Sequence, residues 1–231
     1  MEQHTTSLEE GMLYLCATPI GNLEDITLRV LRVLQEADVI YCEDTRNTLK
    51  LLRHFEIAKP LQSYHDHSPE ARAQKIADDV RAGRQVALVS DAGMPVISDP
   101  GFDLVNLFRR ENLPYTVLPG ASASLTALVL SGIAADRFLF EGFLPRKKKD
   151  LEARLALLDK ERATAIIYES PYRLSATLDV LPSAGQSANV QPCARSPSAS
   201  RKPCAAPPSA CAIISMPTRR VASLCSSLAA P

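Results

Sequence analysis

Gln85-Val-Ala-Leu-Val-Ser90 runs without a break into Asp91-Ala-Gly-Met-Pro-Val-Ile-Ser-Asp-Pro-Gly101. The first stretch is a short, unbroken apolar run, the pattern of a strand covered on both faces of a parallel sheet. The second holds two glycines, two prolines and two aspartates, so it is a stiff turn whose backbone lets another group come close. A buried strand that empties into an elaborate loop is the signature of an α/β sheet whose chemistry sits at its strand ends.

The pattern repeats outward from this stretch. Residues 12–18, 38–42, 61–64 and 114–118 read as further strands. Between them lie helices. Residues 27–37 place Leu28, Leu31 and Leu34 three apart behind a capping Thr27. Residues 47–55 form a second helix. Ser68-Pro69-Glu70 opens a third that stops at Gly83, and 102–112 form a fourth. Five strands in about 110 residues, mostly separated by helices, predict a doubly wound, mainly parallel sheet over residues 12–118, after a short extension at 1–11. The alternation then resumes, with helices at 121–132, 147–161 and 172–181 and strands at 137–143 and 164–169. We expect a second, incomplete α/β domain over 119–182.

The 231 residues carry 26 basic and 26 acidic side chains, so gross charge does not draw the chain to nucleic acid. All 26 acidic residues and all 12 aromatics precede residue 183. Residues 183–231 hold five basic residues and no acidic ones, and Ala, Ser, Pro and Cys make up most of them. Such a tail buries too little apolar area to offset its ordering entropy, so a disordered or poorly packed segment is expected. Its one apolar piece is Cys211-Ala-Ile-Ile214. A natural extension and an out-of-frame translation both fit the composition; the abruptness of the switch favours the second. Cys193, Cys204, Cys211 and Cys225 contain no C-x-x-C pair, so they are not read as a disulfide or zinc framework. Cys16 and Cys42 read as small buried thiols of a cytoplasmic protein. No run approaches the ~18 apolar residues of a membrane span, and the start Met1-Glu2-Gln3-His4 lacks a signal-peptide pattern.

The unusual loops all fall at predicted strand ends: 19–23, 43–46, 91–101 and 119–124. There is no G-x-G-x-x-G and no G-x-x-x-x-G-K-[ST], so dinucleotide and P-loop readings have no support. His65-Asp66-His67 offers two same-side imidazoles but no third ligand, and no metal is expected. Glu43-Asp44-Thr-Arg46 is either a catalytic constellation or a structural ion-pair cluster. Arg146-Lys147-Lys148-Lys149 is either a solvated helix start or a phosphate-meeting patch.

Taken together, five ordered motifs resemble one family. They are Leu15-Cys-Ala-Thr-Pro-Ile-Gly-Asn-Leu-Glu-Asp-Ile-Thr27, Glu43-Asp-Thr-Arg46, Ser90-Asp-Ala-Gly-Met-Pro-Val-Ile-Ser-Asp-Pro-Gly101, Leu118-Pro-Gly-Ala-Ser122 and Phe140-Glu-Gly-Phe-Leu-Pro145. They are similar to the bacterial 16S rRNA (cytidine-2′-O)-methyltransferases of the tetrapyrrole methylase-like superfamily. The resemblance runs over about residues 12–181. It implies S-adenosyl-L-methionine as methyl donor, 16S rRNA in the small ribosomal subunit as substrate, and a homodimer with no membrane association. It implies donor contacts from Pro19, Asp91, Ala92, Gly93, Met94, Gly120, Ala121, Ser122 and Phe143. Glu43 or Asp44 is then the candidate base, Arg46 an orienting or phosphate-pairing group, and Asn22 and Asp99 are reserves. RNA is expected at Arg146, Lys147, Lys148 and Lys149, with Arg29 and Arg32. A methylase of a small macrocycle and an inactive, donor-binding product are the alternatives. The family continues with an Ala-Arg-Glu-Leu-Thr-Lys-like segment that has no counterpart after Pro182. An out-of-frame tail predicts that the coding sequence, read in another frame from about codon 183, yields patterned α/β sequence; an unpatterned result in both other frames refutes it.

Overall fold

A computed structural model describes residues 7–64, 70–180, 189–193 and 210–215. His65, Asp66, His67 and the Ser68-Pro69 pair expected to open a helix lie outside the described residues. The chain divides into two compact units, one spanning the residues up to Ala123 and the other beginning at Ser124.

In the first unit, strands β1 (Leu13–Cys16), β2 (Val39–Cys42), β3 (Leu61–Ser63), β4 (Val86–Val89) and β5 (Tyr115–Leu118) form one sheet in the order β3-β2-β4-β1-β5. Every pairing is parallel. Helices α1 (Leu28–Glu36), α2 (Thr45–His54), α3 (Glu70–Arg81) and α4 (Phe102–Arg110) connect the strands. The three central strands are buried at every position. Their alternation sorts side chains between two cores. Tyr14, Cys16, Ile40, Cys42, Ala87 and Val89 meet Val30, Val33 and Leu34 of α1 and Leu52 of α2. Leu13, Leu15, Val39, Tyr41, Val86 and Leu88 meet Ile76 of α3 and Leu104, Leu107 and Phe108 of α4. A strand with apolar partners on both faces has no polar position to show, which is why these strands read as unbroken apolar runs. Burial in the first core also pushes the Cys16 and Cys42 thiols up, keeping both protonated.

This wiring creates a switch point. From β1 the chain leaves through α1 toward β2 on one side; from β4 it leaves through α4 toward β5 on the other, with α1 and α4 on opposite faces. The loops leaving the adjacent strands β1 and β4 therefore part in opposite directions, the place where open α/β sheets bind ligands.

In the second unit, β6 (Phe138–Phe143) and β7 (Thr164–Glu169) run parallel. β8 (Asn189–Cys193) and β9 (Ala210–Ser215) complete a sheet ordered β6-β7-β9-β8, β9 being antiparallel to both neighbours. β9 is the apolar piece noticed in the tail. Helix α5 (Ala123–Ser131) begins at the division between the units; α6 (Lys148–Leu158) packs Leu151, Leu155 and Leu158 against Ala165 and Ile167 of β7, and α7 (Pro171–Val180) follows β7. A bulge interrupts β6 at Glu141, where Gly142 takes φ +71°. The Glu141 carboxylate is held by the guanidinium of Arg154, whose Nη2 donates at 2.6 Å.

One helix begins earlier than its pattern suggests. Residues 43–46 read as a charged loop before a helix at Asn47, yet α2 starts at Thr45 with Asp44 as its N-cap. The Asp44 carboxylate looks in sequence like a plain charge, yet its first role is to accept the otherwise unpaired Arg46 N–H. The structure adds a 3-10 turn at Leu23–Asp25, capped by Asn22, where the sequence shows only a loop.

Thr27 caps α1 as its sequence position suggests, its hydroxyl accepting the Val30 N–H at 3.2 Å. Thr27→Ala is expected to cost about 1 kcal/mol in urea unfolding, and Thr27→Ser to recover most of it.

Candidate functional site

Because the five strands of the first unit are parallel, the loops after β1, β2, β4 and β5 leave one edge of the sheet. Their main chains are tied to each other. Thr18, two residues past β1, exchanges two backbone hydrogen bonds with Gly93 in the loop after β4: Thr18 N–H to Gly93 O at 2.9 Å and Gly93 N–H to Thr18 O at 3.0 Å. The Thr18 hydroxyl donates to Ser90 O at 3.1 Å, and the Ser90 hydroxyl donates to Gly93 O at 3.0 Å. Thr18 and Ser90 are buried, so each of these polar groups needs its partner.

Two glycines make the approach possible. Gly93 takes φ +90°, and a Cβ there would stand 3.3 Å from Ile20 Cγ2 and 3.8 Å from Ala121 O. At Gly120 a Cβ would lie 2.7 Å from Ala17 Cβ, closer than carbon atoms approach. The loops after β1, β4 and β5 are thus in contact, and Gly120, Ala121 and Ser122 present main chain and small side chains to solvent.

The loop after β4 also carries strain. Val96 and Ser98 adopt φ +76° and +60°. A β-branched residue rarely does so, at a cost on the order of 1–3 kcal/mol. Val96 is held there because its side chain packs against the core under α4 and against Gly101, where a Cβ would stand 2.9 Å from Val96 Cγ2.

Asp91 binds the loop after β2 to this assembly. Its Oδ1 accepts the Asp44 N–H at 3.2 Å and its Oδ2 accepts the Asn47 side-chain amide at 2.7 Å. Asp44 in turn accepts the Arg46 N–H at 2.8 Å and pairs with the Arg46 guanidinium, Nη2 to Oδ2 at 2.6 Å. The Arg46 hydrogen bonds hold the Asp44 carboxyl at about 2, below its ordinary 3.8. Arg46 itself is 85% exposed.

The structure therefore gathers Pro19, Glu43, Asp44, Arg46, Asp91–Met94 and Gly120–Ser122 at one sheet edge. Phe143 and Arg146–Lys149 belong to the second unit, Phe143 as the last residue of β6 and the four basic residues just beyond it. There the Phe143 ring stands edge-on to Tyr168 at 5.7 Å between centroids, and the four basic residues are exposed. Lys148 comes within 3.9 Å of Glu152 one turn on. Arg32 is not a simple surface cation, since its Nε is buried without a hydrogen-bond partner among the described atoms. Three residues of this scaffold escaped sequence reasoning: Thr18, Ser90 and Asn47. Each is a small polar side chain beside a strand end, a type too common in turns to stand out. No group of three or more potential metal ligands occurs among the described residues.

The fold is that of solved methyltransferases. Uroporphyrin-III-C-methyltransferase from Thermus thermophilus superposes with TM-score 0.53 at 23% identity, over 78% of this chain and 77% of that one. Cobalt precorrin-4 methyltransferase gives 0.58 at 19%, over 78% of each. The profile of the tetrapyrrole (corrin/porphyrin) methylases matches residues 12–203, and the chain belongs to that family. Its sequence is similar to proteins named ribosomal RNA small subunit methyltransferase I. Identity is 53% with that of Halalkalibacterium halodurans (74% of this chain, 59% of the relative), 51% with Synechocystis (73% and 60%) and 47% with Thermotoga maritima (74% and 77%). The chain spans about three fifths of the length of the first two.

Asp44 owes its low value to Arg46, so Arg46→Ala is expected to return its titration toward 3.8, read by carboxyl-carbon NMR. A depressed carboxylate stabilises the fold at pH above its unfolded value and loses that contribution as pH falls through the folded one. The wild-type contribution therefore disappears as pH drops from about 4 toward 2, and the variant keeps only the smaller part due to the backbone N–H groups of residues 46 and 47.

Proposed function

We propose that this chain is built to methylate a ribose 2′-hydroxyl of a cytidine in 16S rRNA, using S-adenosyl-L-methionine, in the cytoplasm and as a homodimer. The observation that carries this reading is the tied platform at the β1–β4 switch point, where Thr18 and Gly93 lock three loops into one edge. The rRNA methyltransferase relatives, similar over about three quarters of this chain, support the choice of substrate.

The residues fit an adenosyl amino acid. Small side chains at Ala92, Gly93, Gly120, Ala121 and Ser122 let polar main chain approach a nucleoside, and Pro19 and Met94 add apolar surface beside it. Asp91 supports the site from behind, because both its oxygens are already engaged. When bound, the donor supplies a methyl group activated by a sulfonium. What remains for the protein is to align the ribose oxygen with that methyl and to take up its proton. A carboxylate of the chain would take the hydroxyl proton as the ribose oxygen accepts the methyl and the sulfonium departs as a neutral thioether.

Asp44 is poorly suited to that role, since its low pKa and its capping bonds make it a weak, committed acceptor. Glu43, half-buried at the end of β2, is the base we assign. The exposed Arg46 guanidinium pairs with a backbone phosphate and orients the ribose. Arg146–Lys149 supply a second phosphate-binding stretch. Leu125, Val129 and Leu130 of α5 are exposed apolar side chains, which supports a second copy of the chain as their cover.

The test is methyl transfer from labelled donor to small ribosomal subunits. Glu43→Gln is expected to lower turnover on the order of 10²–10⁴-fold with donor affinity unchanged by calorimetry. Full turnover in that variant removes Glu43 from the chemistry. A chain that does not bind the donor refutes the reading of the platform.

A further inference from the structure

Tyr172 is 91% exposed, the most exposed large hydrophobic side chain among the described residues. It is the second residue of α7, and the turn that carries it is rigid. Glu169, the last residue of β7, has only 1% of its side chain exposed and spends that buried carboxylate on this turn. Its Oε1 accepts the Ser170 N–H at 2.8 Å and lies 3.5 Å from Arg173 Nη1, and its Oε2 accepts the Thr177 hydroxyl at 2.7 Å. The Ser170 carbonyl accepts the N–H groups of Arg173 and Leu174. The ring is thus offered to solvent from a fixed base, and no ring contact buries it among the described residues.

The surroundings select the occupant. β6 and β7 are parallel neighbours, with Phe143 in register with Tyr168. Arg146–Lys149 start three residues beyond Phe143, and Tyr172 lies four beyond Tyr168. A run of four exposed cations and a rigid exposed aromatic ring therefore share one end of one sheet. Cations along a path meet phosphates, and a ring beside that path offers a face on which a base can stack. An acidic peptide has the charge but no use for the ring.

We propose that Tyr172 is a base-stacking residue for single-stranded RNA whose phosphates run along Arg146–Lys149. This rests on the RNA reading above and adds to it how an unpaired nucleotide is held. The second unit then grips its RNA by stacking as well as by charge.

The two contributions separate in salt. Each phosphate contact made on binding releases counterions and adds about 0.7 to the magnitude of the slope of log affinity against log salt for single strands; a stacked base adds nothing to it. The experiment titrates the full 231-residue chain with an unstructured oligocytidylate of about a dozen nucleotides, by fluorescence anisotropy at several salt concentrations. Tyr172→Ala is expected to weaken binding about tenfold at every salt with the slope unchanged, and Tyr172→Phe to bind as the wild type. Lys148→Ala is expected to reduce the slope by about 0.7. Against an abasic ribose-phosphate strand, wild type and Tyr172→Ala should bind alike.

Wild-type affinity in Tyr172→Ala, or an equal loss on the abasic strand, overturns stacking while leaving the RNA reading intact. Poly(glutamate) binding with the same dependence on Tyr172 overturns the choice of partner. A wild-type chain with no salt-dependent affinity for the RNA overturns the RNA reading itself, and this proposal with it. Because the side chain is exposed, Tyr172→Ala should keep the wild-type thermal melt; if it does not, Tyr172→Phe against Tyr172→Leu, matched in apolar character, replaces it as the deciding pair.

Discussion

Everything at the sheet edge of the first unit depends on the pair of hydrogen bonds between Thr18 and Gly93. Two adjacent parallel strands send their chains in opposite directions, and without a tie the loops would separate as they leave the sheet. The tie costs the loop after β4 a left-handed residue at Gly93. It also demands partners for the buried hydroxyls of Thr18 and Ser90, which the carbonyls of Ser90 and Gly93 supply. Once Thr18 and Gly93 are joined, Ile20 and Ala121 fall beside Gly93 and Ala17 falls beside Gly120. Three loops then act as one surface, and its polar face is largely main chain.

Rigidity of this kind explains why strain is tolerated nearby. Val96 and Ser98 occupy backbone regions that an isolated loop would leave, yet Val96 gains an apolar environment over the core and fills the space that Gly101 vacates. The charged residues follow the same logic. Asp91 and Asp44 look in sequence like two acids waiting for a substrate. In the fold Asp91 fastens the start of α2, and Asp44 caps that helix and holds Arg46. Glu169 plays the corresponding part in the second unit, where a buried carboxylate fixes the first turn of α7. In both units an acid near a strand end spends its charge on the main chain that follows, and nearby side chains are left to face outward.

The parallel sheet was legible because its cause is local and repeated. Unbroken apolar runs such as Val86–Val89 can be buried on both faces only between two helical layers, and the amphipathic segments between them supply those layers. The places where binding would occur were legible for the same reason: parallel strands end on one edge, so the glycine- and proline-rich loops had to meet there. What the chain alone left open was which polar groups answer each other. Thr18 with Ser90, and Asn47 with Asp91, are separated by 72 and 44 residues. Hydrogen bonds across such intervals are chosen by strand order, which sets β4 between β1 and β2 and leaves β3 at the far edge. The same holds for the tail, where Cys211-Ala-Ile-Ile214 carries a strand's composition but finds its place antiparallel to β7 through long-range pairing alone. Local composition determined the elements and the edge they share; sequence-distant backbone pairing decided which side chains are structural ties and which are free to meet a ligand.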